Sequence, residues 1–408
     1  MSRTKAFALS FFLSATACSA ALAAEKAEVM HWFTSPAEQK ALKVYVDKFE
    51  ELGGQWVDNG IAGGANARTA IVNRIVGGNP PTAAQFNTKL QFMDLIEGGL
   101  MGDIDEVAKA DKWDTLFPPL LAESLKQDGK YIAVPMNVQG QNWLWYNLHV
   151  LKEAGAEPPT NYDELFTALE KVKAHGKAVP LAFQGEPVWT RYILNNTLLN
   201  LGGKKLYERI YVDLDAEAAK TPEFRKVVEA VRRLRDFTDP GAPARKWPDA
   251  SHMVVNGEAA FHLMGDWAKG EFTVAGKQIG TDFGCTQLGG IYMMNTNILT
   301  FPKVSDPEQI KAQHMLARAL MDPVAEVEMA IFKGSAPARL DVDPSKLDSC
   351  TREGLKRVAN PQTVSLATEM LISPQLQGAL EDLIVNFWNN PSMSDDDFID
   401  RFAKTLKQ

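Results

Sequence analysis

Two patterns in this chain predict an α/β fold. Short apolar or aromatic runs of strand length alternate with longer stretches whose apolar residues recur at helical spacing. Several of the helical stretches open on one signature: a Ser, Thr or Asp, then Pro, then Glu within three residues.

Taken in order, Glu28–Phe33 (EVMHWF) reads as a first strand. Ser35-Pro36-Ala37-Glu38 then opens a helix: a serine cap, a proline at the first turn and a glutamate closing a capping box. Leu42, Tyr45, Val46, Phe49 and Leu52 follow on one face. Tyr131–Pro135 (YIAVP) and Trp143–Tyr146 (WLWY) read as strands joined by the polar Asn137–Asn142. Thr160–Asp163 opens a further helix. Thr221-Pro222-Glu223 opens another, with Phe224, Val227, Val228, Val231, Leu234 and Phe237 on its buried face. Asp306-Pro307-Glu308 starts one more. Asp239–Pro243 reads as a loop, and Gly53-Gly54, Gly63-Gly64 and Gly202-Gly203 as turns. The 408 residues suffice for two cores at ~100–200 residues each, and no long linker separates them.

The first residues, MSRTKAFALSFFLSATACSAALAAEK, read as a secretory signal rather than as part of the fold. Arg3 and Lys5 precede the uncharged apolar run Ala6–Ala17, and Ala21-Leu22-Ala23 supplies the cleavage site, so residues 1–23 are assigned as signal. A lipoprotein signal acylated at Cys18 is the rival, but the Ala-Thr-Ala before that cysteine lacks a branched apolar residue. The run is too short to span a bilayer, and no later segment approaches ~20 apolar residues. The mature chain then carries 41 basic and 51 acidic residues, a net charge of −10. With no basic patch, this balance argues against nucleic acid and anionic membrane surfaces. Cys285 and Cys350 remain as an even pair in an oxidising compartment, which favours a disulfide over two separate buried thiols.

Signatures of catalysis and cofactor binding are missing. The six histidines form no HxH, HExxH or His/Cys cluster, so no metal is expected. There is no GxSxG, no Walker loop and no GxGxxG after a strand, and no cofactor is expected. A carboxylate pair for glycoside hydrolysis is spatial rather than local, so a secreted carbohydrate-active enzyme stays open as a rival.

Several segments, in order, carry a resemblance: HWFTSPAEQKAL, GNPPTAAQFNTK, GKYIAVPMNVQGQNWLWYN with LKEAGAEPPTNYDEL, TDPGAPARKW, FHLMGDWAKGEF and FKGSAPARL. Across nearly the whole mature chain the sequence resembles the extracellular solute-binding proteins of bacterial sugar ABC transporters, most closely their periplasmic glucose-binding branch. The resemblance implies a periplasmic binding protein fold: two discontinuous α/β lobes joined by hinge strands, closing on a ligand in the cleft between them. Residues 24–135 plus 288–332 would form the N-terminal lobe, and 136–287 plus 333–408 the C-terminal lobe. The crossings are expected near Val134–Val138, Cys285–Leu288 and Lys333–Pro337. A periplasmic, monomeric, non-enzymatic receptor is implied, with a sugar ligand and inner-membrane permease subunits as partners. A carboxylate or polyamine ligand is the alternative within the same fold.

The resemblance also implies ligand residues. Trp32 and Phe33 end the first strand, where open α/β sheets place ligands; alternation sends one of them to the core, and the resemblance turns the pair towards sugar. Glu38 is claimed both by its capping box and by sugar hydroxyls. Lys89, with Asn87 beside it, and Lys333 match hydroxyl-donating lysines, whereas Arg339 is expected to pair with a local carboxylate. Asp266 and Trp267 offer an acceptor beside a flat apolar face, as a pyranose requires, and Trp189 is a further wall. Phe33, Asn297 and Thr368 stand where that branch commonly has tryptophan, aspartate and histidine. An amide at 297 donates as well as accepts, so the hydroxyl-reading set differs, and another aldose, a sugar derivative or a short oligosaccharide stands beside glucose as the ligand.

Overall fold

A computed structural model describes residues 25–407. The signal assigned to residues 1–23, with Cys18, lies outside the described residues. Among the described residues no helix is long and apolar enough to cross a membrane.

The strands are β1 (Glu25–His31), β2 (Gly54–Gly60), β3 (Ala83–Phe86), β4 (Lys126–Gln127), β5 (Lys130–Tyr131), β6 (Ala133–Gly140), β7 (Trp143–Asn147), β8 (Val179–Ala182), β9 (Ala259–Met264), β10 (Phe283–Thr286), β11 (Tyr292–Thr300) and β12 (Val364–Leu366). They build two main sheets with helices packed against them. The first runs β12-β11-β3-β1-β2, with β6 also paired to β11; the second runs β10-β7-β9-β8. In the first sheet β1 lies parallel to β2 and β3, through crossover helices as parallel pairing demands. The second places β7 antiparallel between β9 and β10.

The helix starts follow the expected chemistry. Ser35 accepts from the Glu38 amide at 3.2 Å and caps the helix Pro36–Glu51. Thr221 and Asp306 likewise cap the helices Pro222–Arg235 and Pro307–Leu320. Asn161 caps Tyr162–His175, while Glu164 turns back to the Thr160 amide at 2.8 Å.

Three segments meet where the sheets join. β6 and β11 pair antiparallel from Gly140↔Met294 to Ala133↔Thr300, with a bulge between Asn297 and Ile298. β11 pairs β3 through Ile298–Thr300 on its other edge and β12 through Tyr292–Met294. A third segment joins through Ala336, whose N–H and C=O exchange 2.9 Å bonds with Val138. Near the crossing expected at Cys285–Leu288, the chain leaves the second sheet after Thr286, which pairs with β7, and enters the first at Tyr292, the start of β11. All nine residues of β11 are buried, so it shows none of the apolar–polar alternation that marks a half-exposed strand.

Glycines allow tight approaches beside this junction. Gly334 ends the helix Pro323–Lys333 at φ +83°, and a Cβ there would lie 2.6 Å from both the Asp266 carbonyl oxygen and the Gly270 amide nitrogen. A Cβ on Gly270 would in turn meet the Phe332 carbonyl at 2.5 Å. Cys285 and Cys350 are joined as a disulfide with Cα atoms 6.4 Å apart, tying β10 to the helix Ser349–Val358.

Candidate ligand cleft

The chain leaving β1 splits its two aromatics. Phe33 is fully enclosed, while Trp32 is half-buried with the Arg68 guanidinium 5.8 Å from its ring. The Trp32 amide donates to Gln85 Oε1 at 3.0 Å and the Phe33 amide to His31 Nδ1 at 3.2 Å, so both residues are fixed by their main chain.

Glu38 serves two partners with two oxygens. Its Oε2 accepts from the Thr34 and Ser35 amides, each at 3.1 Å, and its Oε1 receives Lys333 Nζ at 2.9 Å. Lys333 is only 2% exposed, and its ammonium lies 4.7 Å from the Phe33 ring centre and 5.9 Å from that of Trp267. Three stretches of chain thus gather Phe33, Glu38, Lys333 and Trp267 around one ammonium. Phe33 contributes the apolar floor under that ammonium rather than an open wall.

Trp267 continues into an aromatic group. Its ring lies 6.3 Å from Trp189 and 6.2 Å from Tyr192, which stand 5.2 Å apart edge-to-face. Trp189 and Tyr192 project from the helix Pro187–Thr197. Behind them lies a polar cluster around Glu369. Its Oε1 accepts from Gln141 Nε2 at 2.6 Å, Tyr192 Oη at 3.0 Å and Asn295 Nδ2 at 3.4 Å. Its Oε2 takes Arg191 Nη1 at 3.2 Å and the Thr368 hydroxyl at 3.3 Å. Burial alone would raise the Glu369 pKa, but the Arg191 charge and the donors around it hold it below the ordinary value. Arg191 also reaches Glu381 at 2.9 Å. Because the amide nitrogens of Gln141 and Asn295 face Glu369, their oxygens face elsewhere. Gln141 Oε1 and Asn295 Oδ1 are both buried and have no partner among the described residues.

Asp266 and Trp267 adjoin in sequence but serve different neighbourhoods. Asp266 Oδ2 accepts from the Gly140 amide at 2.7 Å and the Tyr292 hydroxyl at 3.0 Å, joining the end of β6 to the start of β11. The carboxyl lines a small void of about 10 Å³ with Trp143, Trp145 and Tyr292 among others, room for about one water. Burial pushes its pKa up to about 7 despite those two donors.

Asn297 and Thr368 are engaged with protein. Asn297 Oδ1 accepts from Gln85 Nε2 at 2.9 Å and Asn87 Nδ2 at 3.2 Å, while its Nδ2 donates to Asn137 Oδ1 at 2.9 Å. Asn137 passes the chain to Ser335 Oγ at 2.6 Å. The Thr368 hydroxyl accepts from Arg191 at 2.8 Å and Asn195 at 3.1 Å. Lys89 Nζ donates to the Lys126 carbonyl at 2.8 Å, and Arg339 pairs with Asp341 at 2.7 Å. Arg68, Gln141, Tyr192, Asn295 and Glu369 were not singled out from sequence. Gln141 alone carried a signal, as part of the polar link between two strands.

A family model described as bacterial extracellular solute-binding protein matches residues 34–312. The chain belongs to that family. Among relatives of this solute-binding protein, a probable sugar-binding periplasmic protein of Rhizobium meliloti (strain 1021) is 37% identical over 352 residues, covering 85% of this chain and 84% of its own. A protein of the same description from Brucella melitensis biotype 1 is 35% identical over 382 residues, covering 91% and 90%. Among solved structures, a chitin oligosaccharide binding protein superposes with a TM-score of 0.79 at 17% identity, covering 94% of this chain and 98% of its own. That likeness is one of fold, two α/β lobes with a cleft between them.

Proposed function

We propose that this solute-binding protein is the periplasmic receptor of a carbohydrate ABC importer, capturing a saccharide between its lobes and presenting it to inner-membrane permease subunits. The names of its relatives in Rhizobium and Brucella, and the chitin-oligosaccharide ligand of its structural neighbour, support a sugar and a periplasmic location. The lobes are 24–135 plus 288–332 and 136–287 plus 333–408, and the receptor acts as a monomer without catalysis.

One observation carries the ligand class. Trp32 follows a strand of the first sheet and Trp267 a strand of the second, and Trp267 packs with Trp189 and Tyr192. Beside Tyr192 the Gln141 and Asn295 side chains that bond Glu369 carry two buried oxygens with no donor among the described residues. Pyranose C–H faces pack on such rings, and hydroxyls supply the donors that those oxygens lack. Trp32, Trp267 and Lys333 are the principal contacts, with Lys89 and Glu38 at hydroxyls. Phe33, Asp266, Asn297 and Thr368 hold this set in position. A polyamine fits less well, because Glu38, Glu369 and Glu381 already have cationic partners.

Isothermal titration of the signal-free protein against pentoses, hexoses and their disaccharides tests this reading. Heat release with a change in tryptophan fluorescence is expected for at least one. Silence with all of them, or release of a nitrophenol from an aryl glycoside, overturns it.

A further inference from the structure

A second cavity, of about 390 Å³, opens beside this aromatic group and lies within the usual range for a small-molecule pocket. Its polar lining is Arg68, Thr69, Asn73, Gln91, Glu369 and Gln377. The first three come from the helix Gly64–Val76 after β2, whereas Glu369 and Gln377 come from the segment that packs against the helix Pro187–Thr197, so the cavity joins the helix after β2 to the Trp189–Tyr192 side. It continues from the sugar-facing group at two points. Arg68 lines it and also lies over the Trp32 ring; Glu369 lines it and also holds Tyr192 and Gln141.

Its unpaired groups are mostly donors. Among the described residues, the Arg68 guanidinium and the Asn73 and Gln377 amides have no side-chain hydrogen-bond partner, whereas both oxygens of Glu369 are already taken. The half-buried Arg68 guanidinium and the two amides leave donors turned to the cavity, and an acceptor-rich ligand can use them. The charges cancel nearby: Arg68 and Arg191 stand against Glu369 and Glu381, which all interact through space. A cluster of two guanidiniums and two carboxylates calls for no extra anion.

We propose that this cavity is a second saccharide subsite, so that the preferred ligand is a neutral sugar of at least two linked rings. One ring rests on Trp32 and the next gives its hydroxyl and ring oxygens to Arg68, Asn73 and Gln377. The inference rests on the saccharide reading above and adds the length and charge of the ligand.

The test is calorimetric titration of the signal-free protein with glucose, galactose and xylose, then with maltose, cellobiose, lactose, xylobiose and digalacturonate. At least one neutral disaccharide is expected to bind about ten-fold or more tighter than its component monosaccharides. The double variant Asn73→Ala/Gln377→Ala, on an exposed and a half-buried position, is expected to lower disaccharide affinity about five- to ten-fold and leave monosaccharide affinity unchanged. The subsite is overturned if disaccharides bind no better than single rings, or if the double variant changes neither affinity or both equally. Tighter binding of digalacturonate than of any neutral disaccharide overturns the neutral class. Silence with every compound removes the saccharide reading itself, and the subsite with it.

Discussion

The replacement Lys333→Met is a direct probe of the buried ammonium that joins Glu38 to Phe33 and Trp267. Methionine keeps most of the side-chain volume and the contacts with Phe33 and Trp267, but leaves Glu38 Oε1 without the cation now 2.9 Å away. Glu38 is 9% exposed and retains only the Thr34 and Ser35 amides on its other oxygen. Removing one member of a buried ion pair costs about 3–5 kcal/mol. The two remaining amide donors bring the expectation to the lower end, about 3 kcal/mol. Replacing both charges, with Glu38→Gln in addition, removes the stranded carboxylate and should recover at least about half of that loss, since isosteric removal of a whole buried pair is close to neutral. Urea unfolding of the ligand-free protein measures this, and the single variant should lower the midpoint by about 1 M. A midpoint unchanged in the single variant, or a double variant no more stable than the single, refutes the reasoning.

Other consequences follow from the same geometry. Trp32→Ala removes a wall that is half-buried, so it should weaken saccharide binding by about 2 kcal/mol or more while unfolding stays nearly unchanged; calorimetry and a thermal melt separate the two. Reducing the Cys285–Cys350 bridge opens a loop of 65 residues and should lower stability by roughly 4 kcal/mol on the chain-entropy model, read as a lower melting temperature in reductant. Asp266 is lifted by burial to about 7, so between about pH 4 and 7 the folded chain keeps a proton that the unfolded chain has lost. Its contribution to stability therefore falls as pH rises through that window, by at most about 1.4 kcal/mol per unit. Asp266→Asn should gain on the wild type across the window and level off above it, and a pH-independent difference contradicts this. Asn297→Asp turns a donor to Asn137 into a second acceptor and should destabilise the ligand-free protein by about 1–3 kcal/mol, measurable by denaturant titration.

Local chemistry was the legible part of the sequence. The Ser35 capping box, the Pro36 start and the apolar face through Phe49 follow from nearest neighbours along the chain, and the helix forms there. The Cys285–Cys350 pairing follows from there being two cysteines after the assigned signal and one oxidising compartment. Less was legible where tertiary pairing decides. Glu38 could be read as cap or as ligand group, yet its two oxygens let it cap a helix and hold Lys333 together. Residues 292–300 carry Asn and Thr among apolar residues in no regular alternation, because neighbours on both sides bury the whole strand. Glu369 and Arg191 lie 178 positions apart, and only the packing of the helix Pro187–Thr197 against Pro374–Asn389 brings them together.

The amide chain through the crossings explains how a flat ring can bias a hinge. From the Trp32 amide the bonds run to Gln85, from Gln85 to Asn297, from Asn297 to Asn137 and from Asn137 to Ser335, each amide donating in the same direction. The relay therefore links the backbone under one wall to the third crossing, and a rotation that displaces Ser335 strains or breaks a bond worth about 1 kcal/mol. A ligand touching Trp32 alone has no preference among hinge angles and shifts no population. Trp32 follows a strand of the first sheet and Trp267 a strand of the second, so a ligand that touches both makes its full set of contacts only when the lobes are near. That difference in affinity between open and closed forms is the only free energy available to drive closure. On the proposed reading, walls on both sides of the hinge are what would let binding drive closure, and a longer saccharide that also reached Gln377 would widen the difference.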